Sequence, residues 1–305
     1  MAKRDLLSVT DFTAEEVHHL LSRATDLKNS NDKPLSGRSI ALMFEKPSLR
    51  TRSSFEVGIH QLGGHCVYLG PTEIAIGKRE PVSHIAQVAN GYYDAIVARV
   101  FEHETLAEFA GHTDIPIINA LSNWEHPCQL LSDVLTVSEH SDDLHGLKIV
   151  YVGDGDNNVA RSMALVMPPL GVSVVIASPE GYELDQSSID LGNRRAHHGA
   201  TVSLQTDPQQ AVKDADFVYT DVWASMGQED EIKIRQKAFQ AYKVTPELMS
   251  KAKTNARFMH DLPAHLGDEV SEDMLEHPST IVFHQAHNRL HLQKAILEFL
   301  LTKSA

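Results

Sequence analysis

The chain has 305 residues, enough for two domains of ordinary size, each with its own buried core. Its 41 acidic and 27 basic residues give a formal net charge of −14, which argues against nucleic acid or an anionic membrane as the main partner. Two cysteines, no apolar run near the roughly 18 residues that span a bilayer, and no apolar signal segment at the N-terminus predict a cytoplasmic protein.

Short apolar strands alternate with helical stretches along the whole chain. Strands are predicted at 39–44, 65–69, 95–99, 115–118, 147–152, 172–177, 216–220 and 256–259. Helices are predicted at 13–28, 51–63, 102–110, 126–139, 157–168, 246–252 and 286–302. This order predicts an α/β fold of two domains, each a mainly parallel sheet flanked by helices, with a cleft between them. The polar stretch 141–146 is the candidate boundary.

The segment Ser48-Leu49-Arg50-Thr51-Arg52 lies between the first strand and an amphipathic helix. The start of a helix offers unpaired backbone N–H groups and the positive end of the helix dipole. Two arginines and two hydroxyls at that place favour a site for a phosphate dianion. The alternative is an ordinary helix cap beside two exposed arginines.

Four further polar groups follow predicted strands, at the edge where open α/β sheets bind ligands. They are Arg99, the run from His126 to Gln129, the run from Asp221 to Glu229, and the run from His260 to His265. Each group alone is weak evidence for a functional site, since a histidine at a helix start is usually structural. Because all four groups follow strands, we interpret them together as a functional site.

These motifs resemble the aspartate/ornithine carbamoyltransferases. Phe44 to Arg52 and the His126-Pro-x-Gln129 motif are similar to the family's carbamoyl-phosphate half. The Asp221-to-Glu229 run and the segment Asn288 to Ala295 resemble its ornithine branch. The resemblance covers nearly the whole chain, from Leu7 to Leu301.

The resemblance implies transfer of the carbamoyl group of carbamoyl phosphate to the δ-amine of ornithine, without a metal, a cofactor or a covalent intermediate. It implies a carbamoyl-phosphate domain at 1–140, an ornithine domain at 141–285, and a last helix at 286–305 that packs back on the first domain. It also implies a homotrimer that acts in arginine biosynthesis on small-molecule substrates.

The resemblance implies a role for each site residue. The phosphate would be held by Ser48, Arg50, Thr51 and the backbone at Leu49, while Arg52 braces the loop or a subunit contact. Arg99, His126 and Thr51 would surround the carbonyl oxygen, with Gln129 and the Leu262 carbonyl near the carbamoyl NH₂. The amino acid would be held by Asn158, Asp221, Ser225 and Met226, with Arg289 supporting the site from the last helix.

Several positions depart from the family pattern. Leu49 and Ala75 stand where a threonine and a glutamine are usual, and Leu266 and His287 replace an arginine and a glutamate. Asp261 replaces a cysteine beside the reacting amine. A carboxylate there attracts the δ-ammonium but also favours its charged, unreactive form. A relative with another amine acceptor, or without catalysis, is therefore the main alternative.

Two other interpretations are weaker. The run from Gly153 to Asn158 follows a strand and opens a helix, but it lacks the third glycine of a dinucleotide-binding motif. His284, His287 and His291 share one face of the last helix, although the sequence has neither an H-E-x-x-H motif nor a cysteine ligand pair.

Overall fold

The computed structural model describes residues 3–224 and 231–302. Within these ranges the strands are β1 Ser39–Phe44, β2 His65–Leu69, β3 Ala95–Arg99, β4 Ile117–Leu121, β5 Lys148–Val152, β6 Ser173–Ala177, β7 Val202–Gln205, β8 Phe217–Thr220 and β9 Arg257–His260. The helices are α1 Ala14–Leu27, α2 Leu49–Gln61, α3 Pro71–Ile74, α4 Val82–Tyr92, α5 His103–Gly111, α6 Pro127–Glu139, α7 Asn158–Val166, α8 Gln186–Arg195, α9 Pro208–Ala211, α10 Ile232–Phe239, α11 Pro246–Met249 and α12 Val282–Leu301.

The predicted α/β class is confirmed, because the described strands form two parallel sheets flanked by helices. Three predicted strands, at 39–44, 65–69 and 95–99, have the predicted bounds, whereas the fourth lies at Ile117–Leu121 instead of 115–118. The predicted elements do not include strand β7 or helices α3, α4, α8, α9 and α10. The last helix begins at Val282, four residues earlier than expected.

The chain forms two compact units. The first contains the chain up to Leu135 and returns from His287 onward, and the second runs from Thr136 to Ala286. The first division therefore falls inside α6 rather than in the polar stretch after it.

The first unit has a four-stranded sheet in the order β2-β1-β3-β4. Its strands are almost entirely apolar, with β1 and β3 buried along nearly their whole length, as expected when helices cover both faces. Arg99 lies at the end of β3, in register with Phe44 and Leu121 in the neighbouring strands, beside an irregularity between Ala98 and Arg99.

The second unit has a five-stranded sheet in the order β7-β6-β5-β8-β9. Its core joins Val150 of β5, Val218 of β8 and Phe258 of β9 to Phe239 of α10. Strand β7 lies at the edge of the sheet, with Val202 buried and Ser203 and Leu204 exposed.

Each sheet has one position where the chain order reverses. In the first sheet this position lies between β1 and β3, and in the second between β5 and β8. Connections leave the two strands toward opposite faces there, which opens a crevice at their carboxyl ends. The segments from Ser48 and Arg99, and those from Gly153 and Asp221, begin at these places.

Candidate active site

The segment after β1 forms the start of α2. Ser48 has extended backbone angles and its Oγ accepts a hydrogen bond of 3.3 Å from the backbone N–H of Thr51, so it is the N-cap. Leu49, the first residue of the helix, is 79 % exposed. The backbone N–H groups of this first turn and the positive end of the helix dipole therefore lie beside the polar side chains of the segment.

Arg289 of α12 joins this segment to the last helix. Its Nη2 donates a hydrogen bond of 2.7 Å to the hydroxyl oxygen of Thr51. Both side chains are buried. Since the oxygen of Thr51 accepts this bond, the hydroxyl proton can be donated to a substrate oxygen.

His126 precedes α6 and is fully buried. Burial, together with the positive charges of Arg289, Arg99 and Arg50, holds the pKa of His126 well below its ordinary value. The imidazole is therefore neutral at neutral pH. It can donate one N–H hydrogen bond to a carbonyl oxygen, but it is a poor carrier of an additional positive charge.

Gln129 lies one turn into α6 and is 1 % exposed. Its Nε2 donates a hydrogen bond of 2.9 Å to Asp133, which fixes the orientation of the amide. Its Oε1 makes no hydrogen bond to any residue in the described ranges. A buried amide oxygen without a donor is costly, and the NH₂ group of a carbamoyl compound is a suitable donor.

Arg52 is in a different position from the other arginines of the site. Its guanidinium lies 3.7 Å from the ring centre of Tyr68, and its Nε donates a 2.8 Å hydrogen bond to Glu56. These contacts hold α2 against β2. This is consistent with the bracing role expected for Arg52.

In the second unit, two carboxylates follow adjacent strands. Thr220 of β8 is in register with His260 of β9, so Asp221 and Asp261 are the next residues along two neighbouring strands. Asp221 is 7 % exposed. Burial first, and then the nearby carboxylate of Asp261, raise the pKa of Asp221 well above its ordinary value. This pocket disfavours an additional negative charge and favours a bound cation.

His260 and Glu269 support the turn after β9. The backbone N–H of Leu262 donates a 2.8 Å hydrogen bond to His260 Nδ1, so the ring proton lies on Nε2, which is 3.2 Å from Glu269 Oε1. Leu262 has a φ of 62°, a left-handed conformation that a leucine adopts only when its surroundings impose it. The histidine thus holds the backbone of Leu262 in place.

Glu269 is buried and was not found from the sequence. Although burial opposes ionisation, hydrogen bonds from His260 and from the backbone N–H of His265 lower its pKa. The stretch around it also contains Asp268 and Glu272, so nothing in the sequence marks this acid as the partner of His260.

The remaining amino-acid-binding candidates lie after β5 and β8. Asn158 is the first residue of α7, which is capped by Asn157. Ser225 and Met226 lie outside the described residues.

Three of the positions that depart from the family pattern also lie in the described ranges. Ala75 has a left-handed conformation after α3, while Leu266 and His287 are exposed.

Comparison with known proteins assigns both halves of the chain. Residues 4–139 match the model of the aspartate/ornithine carbamoyltransferase carbamoyl-P binding domain, and residues 145–300 match that of the Asp/Orn binding domain. The chain belongs to the aspartate/ornithine carbamoyltransferase family. The resemblance inferred from the sequence motifs is thereby confirmed.

Individual relatives in this family are similar over their full length. An ornithine carbamoyltransferase from Thermococcus kodakarensis is 48% identical over 303 residues, covering 97% of this chain and 96% of the relative. One from Pyrococcus furiosus, named anabolic, is 46% identical over 303 residues, with the same coverage. The structure of the ornithine carbamoyltransferase from Pyrococcus furiosus has a TM-score of 0.96 and 44% identity, covering 100% of this chain and 99% of that chain.

The Gly153 segment, which suggested the dinucleotide-binding alternative, lies within residues 145–300, which match the Asp/Orn binding domain. One of the three histidines of α12 has other contacts: His284 Nε2 is 2.9 Å from Glu139, and His284 Nδ1 is 3.0 Å from His140 Nε2. In the part of the chain that the structure describes, no group of three or more His, Cys, Asp or Glu side chains is arranged to hold a metal ion. Within the same residues, no helix is long and apolar enough to cross a membrane.

The raised pKa of Asp221 predicts how the Asp221→Asn substitution changes stability with pH. In the unfolded chain this carboxyl ionises near pH 3.9, whereas in the folded protein it stays protonated to higher pH. Its contribution to folding is therefore complete below the unfolded pKa and is lost as the pH rises through the folded pKa. We expect Asp221→Asn to be more stable than the parent at pH 8, by about 1 kcal/mol or more, and the gain to shrink toward pH 4.

Asp185 is the matched control, because its shift has the opposite sign. Although partial burial opposes it, hydrogen bonds from Ser187 and Ser188 lower the pKa of Asp185 to about 2. Asp185→Asn should therefore lose stability at pH 8, and the loss should disappear as the pH falls toward 2. Urea unfolding at each pH measures both variants, and a pH-independent effect at Asp221 would contradict the assignment.

Proposed function

We propose that this protein transfers the carbamoyl group of carbamoyl phosphate to the δ-amine of L-ornithine, giving L-citrulline and phosphate. The main support for the proposal is that the two groups of site residues differ in charge. In the first unit, arginines converge on His126 and Thr51. In the second, the buried carboxyl group of Asp221 and the half-buried one of Asp261 follow β8 and β9. These groups match a phosphorylated donor and a cationic amine acceptor.

The donor would be bound at the start of α2. Ser48, Arg50, Thr51 and the backbone at Leu49 would hold the phosphate, since backbone N–H groups and arginines there supply charge-assisted hydrogen bonds. Arg99, neutral His126 and the Thr51 hydroxyl would donate to the carbonyl oxygen. Gln129 Oε1 would accept from the carbamoyl NH₂, as its buried and unsatisfied oxygen supports.

The acceptor would be bound by residues of the second unit. Asp221 would receive the α-ammonium, and Asn158 with the backbone of Ser225 and Met226 would take the carboxylate. Asp261 would lie near the δ-nitrogen, and the carbonyl of Leu262, the next residue, would accept from the carbamoyl NH₂. The turn held by His260 and Glu269 supports this role for Leu262, because it fixes the direction of that carbonyl.

The reaction needs a neutral amine. The δ-ammonium loses a proton, and its lone pair attacks the carbamoyl carbon. The carbonyl oxygen develops negative charge that Arg99, His126 and Thr51 would stabilise. The bond from carbon to the phosphate oxygen then breaks, and the leaving phosphate takes up the proton that the attacking nitrogen loses. Positioning the two substrates supplies the remainder of the rate. Arg289 would support the site by holding Thr51.

The comparisons also support a biological setting. Since the Pyrococcus furiosus relative is named anabolic, we propose a role in arginine biosynthesis in the cytoplasm. We further propose that the protein is a homotrimer, as the family resemblance implies.

An assay of several acceptors tests the proposal. Carbamoyl phosphate is combined separately with ornithine, putrescine, N-acetylornithine and aspartate, and both phosphate and the ureido product are measured. We expect ornithine to be the preferred acceptor. Turnover of another amine in its place would favour the acceptor-shifted alternative that Asp261 suggests, and no ornithine turnover between pH 6 and 10 would refute the proposal.

Because Leu49 has no side-chain hydroxyl, we expect the phosphate site to bind more weakly than one with threonine at this position. Leu49→Thr introduces a hydroxyl at the first residue of α2. Leu49→Val is the control, because valine has nearly the same shape as threonine but no hydroxyl. One hydrogen bond is worth about 0.5–1.5 kcal/mol, so we expect the threonine variant to lower the KM for carbamoyl phosphate by about two- to tenfold. Equal KM values for the two variants would show that position 49 does not contact the phosphate through its side chain.

Because of Asp261, we expect kcat/KM for ornithine to rise only at alkaline pH. A carboxylate near the δ-nitrogen stabilises the ammonium form, so the reactive amine appears only at higher pH. We expect Asp261→Cys and Asp261→Asn both to move the rise of kcat/KM for ornithine to lower pH. An unchanged profile in both variants would place Asp261 away from the reacting amine.

A further inference from the structure

Asp133 of α6 binds the side-chain amide of Gln129 from one helical turn further along the same helix. Its Oδ1 accepts the 2.9 Å hydrogen bond from Gln129 Nε2. Asp133 is 0% exposed and Gln129 is 1% exposed, so water does not compete for this bond. The spacing of four residues places both side chains on one face of the helix. The reaction described above uses Gln129 but gives Asp133 no part in the choice of substrate.

The carboxylate and the amide differ in what they can donate and accept. The amide of Gln129 has an acceptor at Oε1 and two donors at Nε2, and its two ends have nearly the same shape. An ionised carboxylate accepts hydrogen bonds and has no proton to donate. Asp133 therefore binds the nitrogen end of the amide, because turning the amide would bring Oε1 against a carboxylate oxygen. The negative charge also makes this hydrogen bond stronger than one between neutral groups.

The other end of the amide then offers an acceptor to a bound ligand. Gln129 Oε1 is buried and makes no hydrogen bond to any residue in the described ranges. Arg99 and neutral His126 would donate to the carbonyl oxygen of the donor substrate, so the second substituent of the carbonyl carbon would face Oε1. A buried acceptor calls for a donor, and a second oxygen there would leave two acceptors in contact.

We propose that Asp133 is a positioning residue that sets the substrate specificity of the donor site. By holding Nε2 of Gln129, it makes the site accept an NH₂ group on the carbonyl carbon and reject a carboxylate oxygen in the same place. The proposal rests on the proposed function, because that function gives Gln129 its contact with the carbamoyl NH₂. Asp133 itself does not touch the substrate.

Two competing explanations must be separated from this one. In the first, the charge of Asp133 repels an anionic ligand directly, and this effect would remain without the Gln129 side chain. A double-mutant cycle between the two positions tests this. In the second, Asp133 only stabilises α6, and its loss would weaken the binding of all donor-site ligands equally.

The experiment measures the binding of phosphonoacetamide and phosphonoacetate by calorimetry. Both ligands carry a phosphonate joined through a methylene group to a carbonyl carbon, and they differ in having NH₂ or oxygen as its second substituent. The variants are Asp133→Asn, Asp133→Ala, Gln129→Ala, and Gln129→Ala combined with Asp133→Asn, each with its midpoint of thermal unfolding. The matched control is Asp190→Asn, because exposed Asp190 of α8 accepts a 2.8 Å hydrogen bond from Gln186 Nε2 at the same spacing.

We expect the parent protein to prefer phosphonoacetamide. Asparagine at position 133 both donates and accepts, so the amide of Gln129 can turn, and the preference should fall by about tenfold or more in Asp133→Asn and in Asp133→Ala. Gln129→Ala should lower the preference as well. Adding Asp133→Asn to Gln129→Ala should then change it by less than about twofold. Asp190→Asn should change neither dissociation constant.

Four results would overturn the proposal. They are a parent protein without a preference for phosphonoacetamide, an unchanged preference in both single variants of Asp133, an equal effect of Asp133→Asn with and without the Gln129 side chain, and loss of folding in both single variants of Asp133. The last result would assign Asp133 a purely structural role.

The binding measurement does not depend on the acceptor, so it separates this inference from the proposed function. If the parent protein turns over ornithine, any of the four results rejects the specificity role of Asp133 alone. If the parent protein binds neither phosphonate and does not turn over ornithine, the proposed function and this inference both fail.

Discussion

The reversal of chain order in each parallel sheet is the constraint on which the rest of the structure depends. At one place in each sheet, neighbouring strands send their connections to opposite faces, so their carboxyl ends are not covered by a crossover. The Ser48 segment and Arg99 begin at this place in the first sheet, and Asp154 and Asp221 in the second. Residues far apart in the chain become neighbours because parallel strands all end at the same edge.

The candidate site residues of the two units differ in charge. Around His126, burial and three arginine charges keep the ring neutral, so the group donates a hydrogen bond while the arginines supply the positive charge. Around Asp221, burial and a second carboxylate favour protonation in the absence of a cation. A bound phosphate dianion would offset the positive charge around His126. A bound ammonium would offset the negative charge around Asp221. In the proposed function, electrostatics would therefore separate the two substrates before shape is considered.

The sequence predicted what depends on local pattern, and it missed what depends on neighbours. Strands β1, β2 and β3 could be bounded because their side chains are a continuous apolar run between polar turns. Strand β7, Val202 to Gln205, is a short edge strand with two polar residues, and only its pairing with β6 makes it a strand. The polar motifs were found from their positions after strands, and the role of each residue came from the family resemblance. The partnership of Glu269 with His260 and the ion pair of Arg235 with Asp154 were missed because the partners lie 9 and 81 residues apart in the chain.

The acids of the second unit are neutralised in different ways, and this difference indicates which of them serve the acceptor. Glu269 is stabilised by N–H groups of His260 and of the His265 backbone, so its charge is compensated within its own turn. Asp154 is held by Arg235, although burial still raises its pKa. The pKa of Asp221 is raised further, and Asp261 adds to the effect instead of reducing it. Because a structural role would call for a local cation, the pairing of Asp221 with a second acid favours a role in which the cation arrives with the substrate.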